Sequence, residues 1–298
     1  MSDQPTPRIL VDPSTGRPVL MAPRRQVRPH NTGPGDAGTA CPFCPSHEAD
    51  TPPELDAIRA PGTAKDQPGW TMRSFANLYP ATDHHEVVAE GAEHHTQPVH
   101  LDSGLWTQAL TLYQRRIRTL EARPGVRTAY WFKNVGAAAG ASMAHNHSQI
   151  LGLPMLPPRL VLEDEQNRRH GHCVHCAEIA AAETDGRLVW RGPHHLILIP
   201  SVPKLPHETW LLPLAHTSDF LAEDPAELAT ALHTLFCRIA RAFREPPFNL
   251  YLHRIPGGDF HWHWELQPRT GQVAGLELGG DMYINSVLPQ QSAARLRG

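Results

Sequence analysis

Aromatic and β-branched residues gather in short segments that recur in both halves of the chain and predict strands. In the first half these segments are WTMRSFANLY, HEVVAEG and RTAYWFKNVG. In the second half they are RLVWRGPHHLILIP, HETWLLPL and FNLYLHRI. Each half is therefore predicted to build a mostly antiparallel sheet.

Between the second and third strand segments of each half, the apolar residues change to a helical period. They recur at steps of three and four in SGLWTQALTLYQRRIRTLEARP and in PAELATALHTLFCRIARAFREP, and proline closes both segments. The sequence thus predicts an α+β fold of two tandem domains, each a sheet with a helix packed on it. The tract PMLPPRL is typical of a linker and places the boundary between residues 1–158 and 159–298.

Cysteine and histidine recur in the same order in the two halves, which indicates an internal duplication. The first half carries CPFC, then HEVVAEGAEHH, then HNHSQ; the second carries CVHC, then HETWLLPLAH, then HWHWE. The dipeptide His85-Glu86 stands as far before His94 as His207-Glu208 stands before His216.

Each C-x-x-C pair with its two later histidines has the composition of a closed tetrahedral zinc site. Because four protein ligands leave no open position, both sites are predicted to be structural. His95 and His100 compete with His94 as ligands of the first site, and His207 competes with His216 in the second. The predicted ligands are Cys41, Cys44, His94 and His145 in the first site, and Cys173, Cys176, His216 and His261 in the second.

Iron is an alternative at the second site. There His263 and a carboxylate, either Glu163 or Glu265, could supply a different ligand set. The fifth cysteine, Cys237, lies in a predicted amphipathic helix and is interpreted as a core residue.

The composition and charge limit which partners and which cellular compartment are expected. The 298 residues are 40% hydrophobic and 19% charged, and the formal net charge of −3 argues against a nucleic-acid partner. No apolar run approaches the ~20 residues that cross a bilayer, and the first residues resemble no secretion signal. We therefore expect a cytoplasmic protein without a membrane partner, whose cysteine pairs bind metal instead of forming disulfides.

The segment YWFKNVGAAAGASMAHNHSQILGLP combines a strand, a turn rich in glycine and alanine, and the pattern H-x-H-x-Q. If the strand continues through this pattern, residues 145, 147 and 149 share one face. A neutral imidazole is nucleophilic near pH 7, and the amide of Gln149 can donate a hydrogen bond to a phosphate oxygen. A strand here would therefore place the His147 imidazole and the Gln149 amide on the same face as His145, one of the predicted metal ligands.

Several segments together resemble the galactose-1-phosphate uridylyltransferase family of the histidine-triad superfamily, over nearly the whole chain. These segments are VLMAPRRQVRPH, CPFC, FANLYPA, FKNVG, GASMAHNHSQ and FHWHWELQPRTGQVAGLELGGDMYINSVLP. The resemblance implies two tandem histidine-triad-like domains and a ping-pong exchange of UDP-glucose with a hexose 1-phosphate. In that reaction His147 would carry the nucleotide, and Gln149 and Ser142 would assist.

The resemblance also implies binding residues and a homodimer. The nucleotide would be held by Arg25, Arg28, Phe75, Asn77, Asn134 and the turn at Gly140, and the sugar by Glu277 and Asn285. The sequence departs from the family at Asn146, where proline is usual, and at Ser148, where glycine is common. These departures leave the identity of the substrate open.

Two other functions remain compatible with these residues. A nucleoside-diphosphate-sugar phosphorylase of the ADP-glucose phosphorylase type would use phosphate as the acceptor in place of a hexose 1-phosphate. A zinc-containing nucleotide-binding protein would keep the fold without turnover. Since Glu265 replaces the glutamine in the second half, and a carboxylate repels phosphate charge, we expect one active site per chain.

Overall fold

The computed structural model describes residues 6–27 and 41–298. The predicted nucleotide-binding residue Arg28 lies outside these ranges. Strands β1 (Arg8–Val11) and β2 (Pro18–Met21) form a separate antiparallel hairpin. Leu10, Val19 and Met21 are exposed on this hairpin.

Ten further strands form one antiparallel sheet. In the first half these are β3 (Glu54–Arg59), β4 (Trp70–Ala76), β5 (His84–Glu90), β6 (Thr128–Val135) and β7 (His147–Leu153). In the second half they are β8 (Leu188–Arg191), β9 (His195–Leu198), β10 (Thr209–Pro213), β11 (Phe248–His253) and β12 (His263–Pro268). Their spatial order is β3-β4-β5-β7-β6-β11-β12-β10-β9-β8. Counted inward from either edge, the strands follow the same order, as expected of a duplicated chain.

The described residues form six α-helices, two of which are the predicted long ones. The six are α1 (Ser103–Glu121), α2 (Pro158–His170), α3 (Val174–Ala182), α4 (Pro225–Phe243), α5 (Gly275–Gly280) and α6 (Pro289–Arg297). Asp102 caps α1 by accepting a hydrogen bond from the Leu105 amide, and Asp224 caps α4, whose first residue is a proline. The fold class predicted from the sequence is therefore confirmed.

A single hydrophobic cluster joins the two halves. The indoles of Trp131 on β6 and Trp264 on β12 lie 5.7 Å apart between ring centroids, and Trp106 on α1 lies 5.0 Å from Phe236 on α4. Strands β6 and β11 also pair directly, so hydrogen bonds cross between the halves. Burial of these apolar side chains is the main contribution to the stability of the sheet and its helices.

The proline-rich tract that was predicted as a linker instead begins helix α2 at Pro158. Proline suits the first turn of a helix because its missing N–H would have no helical partner there. Leu160 on this helix is buried against Ile255 and Phe260 of the second half. The domain boundary between residues 158 and 159 stays a prediction. No helix among the described residues has both the length and the apolar character needed to cross a membrane.

Candidate active site and metal centres

His147 is the first residue of β7, and the expected strand does not extend back to His145, which precedes it in a bend. The His147 ring is 5% exposed, and its Nδ1 lies 2.8 Å from the backbone carbonyl oxygen of His145. A carbonyl oxygen only accepts hydrogen bonds, so Nδ1 carries the hydrogen. The lone pair of the neutral ring is consequently on Nε2, the nitrogen that a nucleophile needs.

A cavity of about 160 Å³ opens beside this ring; we call it the His147 cavity. Aromatic rings form one part of its wall: the centroid of Phe43 lies 5.3 Å from that of Phe75 and 5.4 Å from that of His147. Polar groups of Ser142 and Gln149 line another part. The cavity thus combines a flat apolar slot with an imidazole and hydrogen-bonding groups, features that are typical of a small-molecule site.

A buried ion pair lies behind the strand that carries His147. Lys133 and Glu90 are both 0% exposed; the Lys133 ammonium donates to the Glu90 carboxylate and, at 3.0 Å, to the backbone carbonyl of His147. Burial lowers the pKa of Lys133, while the Glu90 carboxylate opposes this change. The hydroxyls of Tyr113 and Ser148 also donate to Glu90. This network fixes the main chain at His147.

The two departures from the family pattern have local causes. Ser148, where glycine is common, is bound to Glu90 and is completely buried. The backbone N–H of Asn146 donates to the carbonyl of His95 at 2.7 Å. A proline at position 146 could not make this hydrogen bond because it has no N–H.

The structure brings Cys41, Cys44, His94 and His145 together as a first metal group, with all ligand atoms within 4.8 Å of one another. The Cys44 sulfur lies 3.3 Å from His94 Nδ1 and 3.5 Å from His145 Nδ1. Four ligands on a tetrahedral zinc would be ~3.3–3.8 Å apart, given the usual bond lengths. His145 Nε2 lies 3.0 Å from the carbonyl of Gly91, which leaves Nδ1 as the ligand atom.

Burial disfavours the charged forms of the side chains in this group. Burial lowers the pKa of His145 to about 3, so the ring is neutral and can act as a ligand. Burial, together with the neighbouring Cys41, raises the pKa of the Cys44 thiol to about 12. A thiolate in this position therefore needs the charge of a metal ion to form near pH 7.

Cys173, Cys176, His216 and His261 form a second metal group with the same arrangement. The Cys176 sulfur lies 3.4 Å from His261 Nδ1 and 3.5 Å from His216 Nδ1. His261 Nε2 lies 2.9 Å from the carbonyl of Pro213, the counterpart of the His145 contact with Gly91. The structure groups neither His95 nor His100 with the first cysteine pair, and His207 packs on Phe243 instead of joining the second.

A third cluster, the acidic histidine group, comprises Glu163, His253, His263 and Glu265. Glu163 on α2 lies 2.9 Å from His253 Nδ1 and 4.0 Å from His263 Nε2. The acidic histidine group contains the residues that the sequence suggested as iron ligands, together with His253 from β11. Sequence reasoning missed His253 because only the pairing of β11 with β12 brings it beside His263.

The counterpart of the His147 cavity in the second half is filled. His175 occupies the position in CVHC that Phe43 has in CPFC, and its ring lies 4.1 Å from the His263 ring between centroids. Trp210 lies 5.2 Å from His263, which is 0% exposed. Lys204 lies 2.6 Å from the Glu265 carboxylate and balances its charge. Enclosure of His263, more than charge on Glu265, therefore favours one active site per chain.

Only some of the remaining predicted binding residues lie at the cavity. Phe75 and Asn77 line the His147 cavity, and the Arg25 guanidinium donates to the carbonyl of Tyr79, which also lines it. Asn134 on β6 accepts a hydrogen bond from Asn249 of β11. Three predicted residues are found elsewhere: Gly140 in a left-handed turn at φ +82°, Glu277 half-buried on α5, and Asn285 bound to the carbonyl of Pro203.

Sequence reasoning did not single out Phe43, Lys133 or Glu90. Phe43 could have been found from the sequence, because the residues between the cysteines of CPFC must lie close to the metal group. No sequence pattern indicated that Lys133 and Glu90 are buried, because a charged residue in a strand is normally expected to be exposed. Their burial becomes apparent only when β5, β6 and β7 are adjacent.

Fold and site together thus combine a ten-stranded antiparallel sheet with an imidazole that lines a cavity of aromatic and polar residues. A search of family models found no match. The chain is 29% identical to ADP-glucose phosphorylase of Arabidopsis thaliana, over 98% of this chain and 93% of that protein. It is 26% identical to galactose-1-phosphate uridylyltransferase of Thermotoga maritima, over 96% of both chains.

Solved structures give the same result. The crystal structure of the Arabidopsis thaliana ADP-glucose phosphorylase with bound ADP-glucose matches with a TM-score of 0.76 and 29% identity, covering 98% of this chain and 99% of that one. A uridylyltransferase mutant matches with a TM-score of 0.79 and 26% identity, covering 97% and 96%. The chain is a homologue of galactose-1-phosphate uridylyltransferases and ADP-glucose phosphorylases, and the predicted resemblance is confirmed. It is an enzyme of this nucleotidyltransferase and phosphorylase group.

Proposed function

We propose that the enzyme transfers a nucleoside monophosphate from a nucleotide sugar to a second phosphate through a covalent nucleotidyl-His147 intermediate, as a hexose-1-phosphate uridylyltransferase. One observation carries this proposal. The backbone carbonyl of His145 keeps the hydrogen of His147 on Nδ1, so the lone pair of the neutral ring is on Nε2. The ring that carries this lone pair lines the cavity.

In the first half-reaction, His147 Nε2 attacks the α-phosphorus of the nucleotide sugar. A P–N bond forms, the P–O bond to the sugar phosphate breaks, and the sugar 1-phosphate leaves with the electron pair. The ring then carries a positive charge, which the carbonyl of His145 stabilises through Nδ1–H. In the second half-reaction a phosphate oxygen of the acceptor attacks the same phosphorus, and the neutral imidazole leaves.

Other residues of the cavity would bind the nucleotide. The base would lie in the slot formed by Phe43 and Phe75, since aromatic rings stack on flat heterocycles. The amide of Gln149 and the hydroxyl of Ser142 would donate to phosphate oxygens, where charge develops during transfer. Asn77 lies in the same wall and would contact the nucleoside.

Zinc is the proposed metal of the first and second groups, because two thiolates and two imidazoles at these distances match its tetrahedral preference. With no open position, the ion would supply rigidity and no substrate ligand. In the first group it would hold His145, whose carbonyl in turn fixes the His147 ring. For the acidic histidine group, a harder ion such as iron suits the carboxylates better.

A homodimer is proposed to complete the sugar site. Glu277 lies outside the His147 cavity, on a described segment that exposes Leu278, Met282 and Ile284. Exposed apolar residues in one stretch are typical of a protein interface. A second copy of the chain covering this stretch could carry Glu277 or Asn285 to its neighbour's cavity. Sedimentation velocity of the wild type and of a Leu278→Asp, Ile284→Asp variant tests this, and a monomeric wild type would contradict it.

A second candidate acceptor is inorganic phosphate, which would make the enzyme a nucleoside-diphosphate-sugar phosphorylase. The full-length match to ADP-glucose phosphorylase favours this reaction. Enzyme charged with labelled UDP-glucose or ADP-glucose should be mixed separately with galactose 1-phosphate and with phosphate. Discharge by galactose 1-phosphate supports the uridylyltransferase, whereas discharge by phosphate alone would overturn it in favour of the phosphorylase.

A further inference from the structure

A buried histidine beside the His147 cavity has no part in the proposed transfer steps. His85 lies on β5, the strand that pairs with β7, and its side chain is 4% exposed. Its Nε2 lies 2.9 Å from Gln149 Oε1, and its Nδ1 lies 3.0 Å from the backbone nitrogen of Ala81. The His85 ring therefore connects a fixed backbone group to the side chain that would meet the phosphate.

The hydrogen position on His85 follows from these partners. The backbone N–H of Ala81 can only donate, so Nδ1 of His85 must accept and carries no hydrogen. The hydrogen of the neutral ring is then on Nε2, where Gln149 Oε1 accepts it. Asn77 Nδ2 also lies 3.3 Å from this nitrogen, but an amide nitrogen is a donor and does not accept.

The amide orientation of Gln149 follows in turn. If Gln149 turned its NH2 group toward His85, two donors would face each other, so Oε1 must lie on that side. The NH2 group is then the part of the amide that can meet a ligand in the cavity. An NH2 group stabilises a phosphate oxygen, whereas a carbonyl oxygen in its place would repel it.

We propose that His85 is a positioning residue that fixes the Gln149 amide with its NH2 group toward the attacked phosphate. This inference rests on the proposed function. Its neighbour Glu86 holds the strand in place, because Arg116 donates to both carboxylate oxygens, at 2.8 and 2.7 Å. The Glu86 side chain thus belongs to an ion pair with Arg116, whereas the His85 side chain contacts Gln149 beside the cavity.

In the second half the sheet register places Glu208 at the position of His85, because His85 pairs with Leu151 and Glu208 directly precedes Thr209, which pairs with Leu266. His207, the counterpart of His85 by sequence, does not make this contact. His207 precedes β10 in the left-handed region at φ +63° and packs on Phe243, with ring centroids 4.6 Å apart. Glu265, which replaces Gln149, is instead bound by Lys204 and Tyr251. The link from histidine to the third residue of the H-x-H-x-Q pattern therefore occurs in the half that holds the cavity.

A double-mutant cycle tests the proposal. His85→Phe removes the donor while keeping a ring, and it is combined with Gln149→Ala. The single-turnover rate of nucleotide transfer to His147 is measured with labelled UDP-glucose and ADP-glucose. We expect His85→Phe to slow transfer about tenfold or more in the native background but less than about twofold in the Gln149→Ala background, since only an effect exerted through Gln149 disappears there.

Equal slowing in both backgrounds would show that His85 only supports the fold and would overturn the proposal. His85→Gln, whose amide can donate to Gln149, should keep the rate within about threefold of the wild type and provides the comparison if the phenylalanine variant does not fold. His84→Phe, on the same strand but away from the cavity, is the matched control and should leave the rate unchanged. If the wild type acquires no nucleotide from either substrate, the proposed function itself fails, which is a different result from an additive cycle.

Discussion

At the scale of single residues, His145 and His147 use different ring nitrogens for their hydrogen bonds to backbone carbonyls, Nε2 in His145 and Nδ1 in His147. His145 uses Nε2 for the carbonyl of Gly91 and presents Nδ1 to the cysteines. His147 uses Nδ1 for the carbonyl of His145, so its lone pair is on Nε2. Two identical side chains two positions apart can therefore hold a metal and attack phosphorus without exchanging roles.

Replacing each histidine should separate these roles. His147→Ala is expected to abolish nucleotide transfer and to leave the metal content intact, because the ring lies outside the first metal group. His145→Ala should lower the metal content and the unfolding temperature together. Metal analysis and thermal unfolding of both variants provide the measurement, and equal metal loss in the two would contradict the assignment.

The buried pair of Lys133 and Glu90 gives a prediction on stability. Lys133→Met leaves the Glu90 carboxylate buried without its cation and should cost about 3–5 kcal/mol of the free energy of unfolding. The double variant Lys133→Met, Glu90→Leu removes both charges and should recover most of this loss. Urea unfolding measures both effects. A single variant as stable as the wild type would show that the pair is not needed to hold β7.

At the scale of elements, the first cysteine turn joins the candidate metal group to the cavity, because Phe43 lies between Cys41 and Cys44. Its ring contacts both Phe75 and His147, so the geometry of the metal group sets one wall of the cavity. The second cysteine turn has His175 in that position, packed against the enclosed His263.

This difference predicts unequal effects of disrupting the two candidate metal groups. Cys41→Ser should raise the Kd for UDP and ADP about tenfold or more, because the aromatic wall loses its support. Cys173→Ser should reduce thermal stability while changing nucleotide affinity by less than about twofold, since effects at distant sites are independent. Isothermal titration calorimetry of both variants measures these affinities. Equal losses of nucleotide affinity in Cys41→Ser and Cys173→Ser would contradict the inference that the first cysteine turn supports the cavity wall.

The sequence predicted those elements whose signal is local. Apolar periodicity and the flanking prolines predicted α1 and α4, and the recurrence of cysteine and histidine predicted both metal groups as candidates. The merger of the two sheets could not be predicted, because the pairing of β6 with β11 depends on contacts between residues far apart in the chain. The hydrogen positions on His85 and His147 also required the structure, since they depend on the carbonyl or amide that each ring meets.

At the scale of the whole molecule, the duplicated chain holds one open site and one closed one. Helix α2, which begins where the sequence favoured a linker, places Glu163 against His253 and Arg159 3.8 Å from Glu265. These contacts, with the His175 ring, cover the region that corresponds to the His147 cavity. The second half therefore contributes a filled and charge-balanced counterpart to the site.

We propose that His147 alone carries the nucleotide, once per chain. Intact-mass measurement after incubation with UDP-glucose or ADP-glucose tests it directly, with peptide mapping to locate the adduct. We expect a gain of one nucleoside monophosphate per chain at His147, lost in His147→Ala and retained in His263→Ala. Turnover without any adduct, or an adduct that persists in His147→Ala, would contradict it.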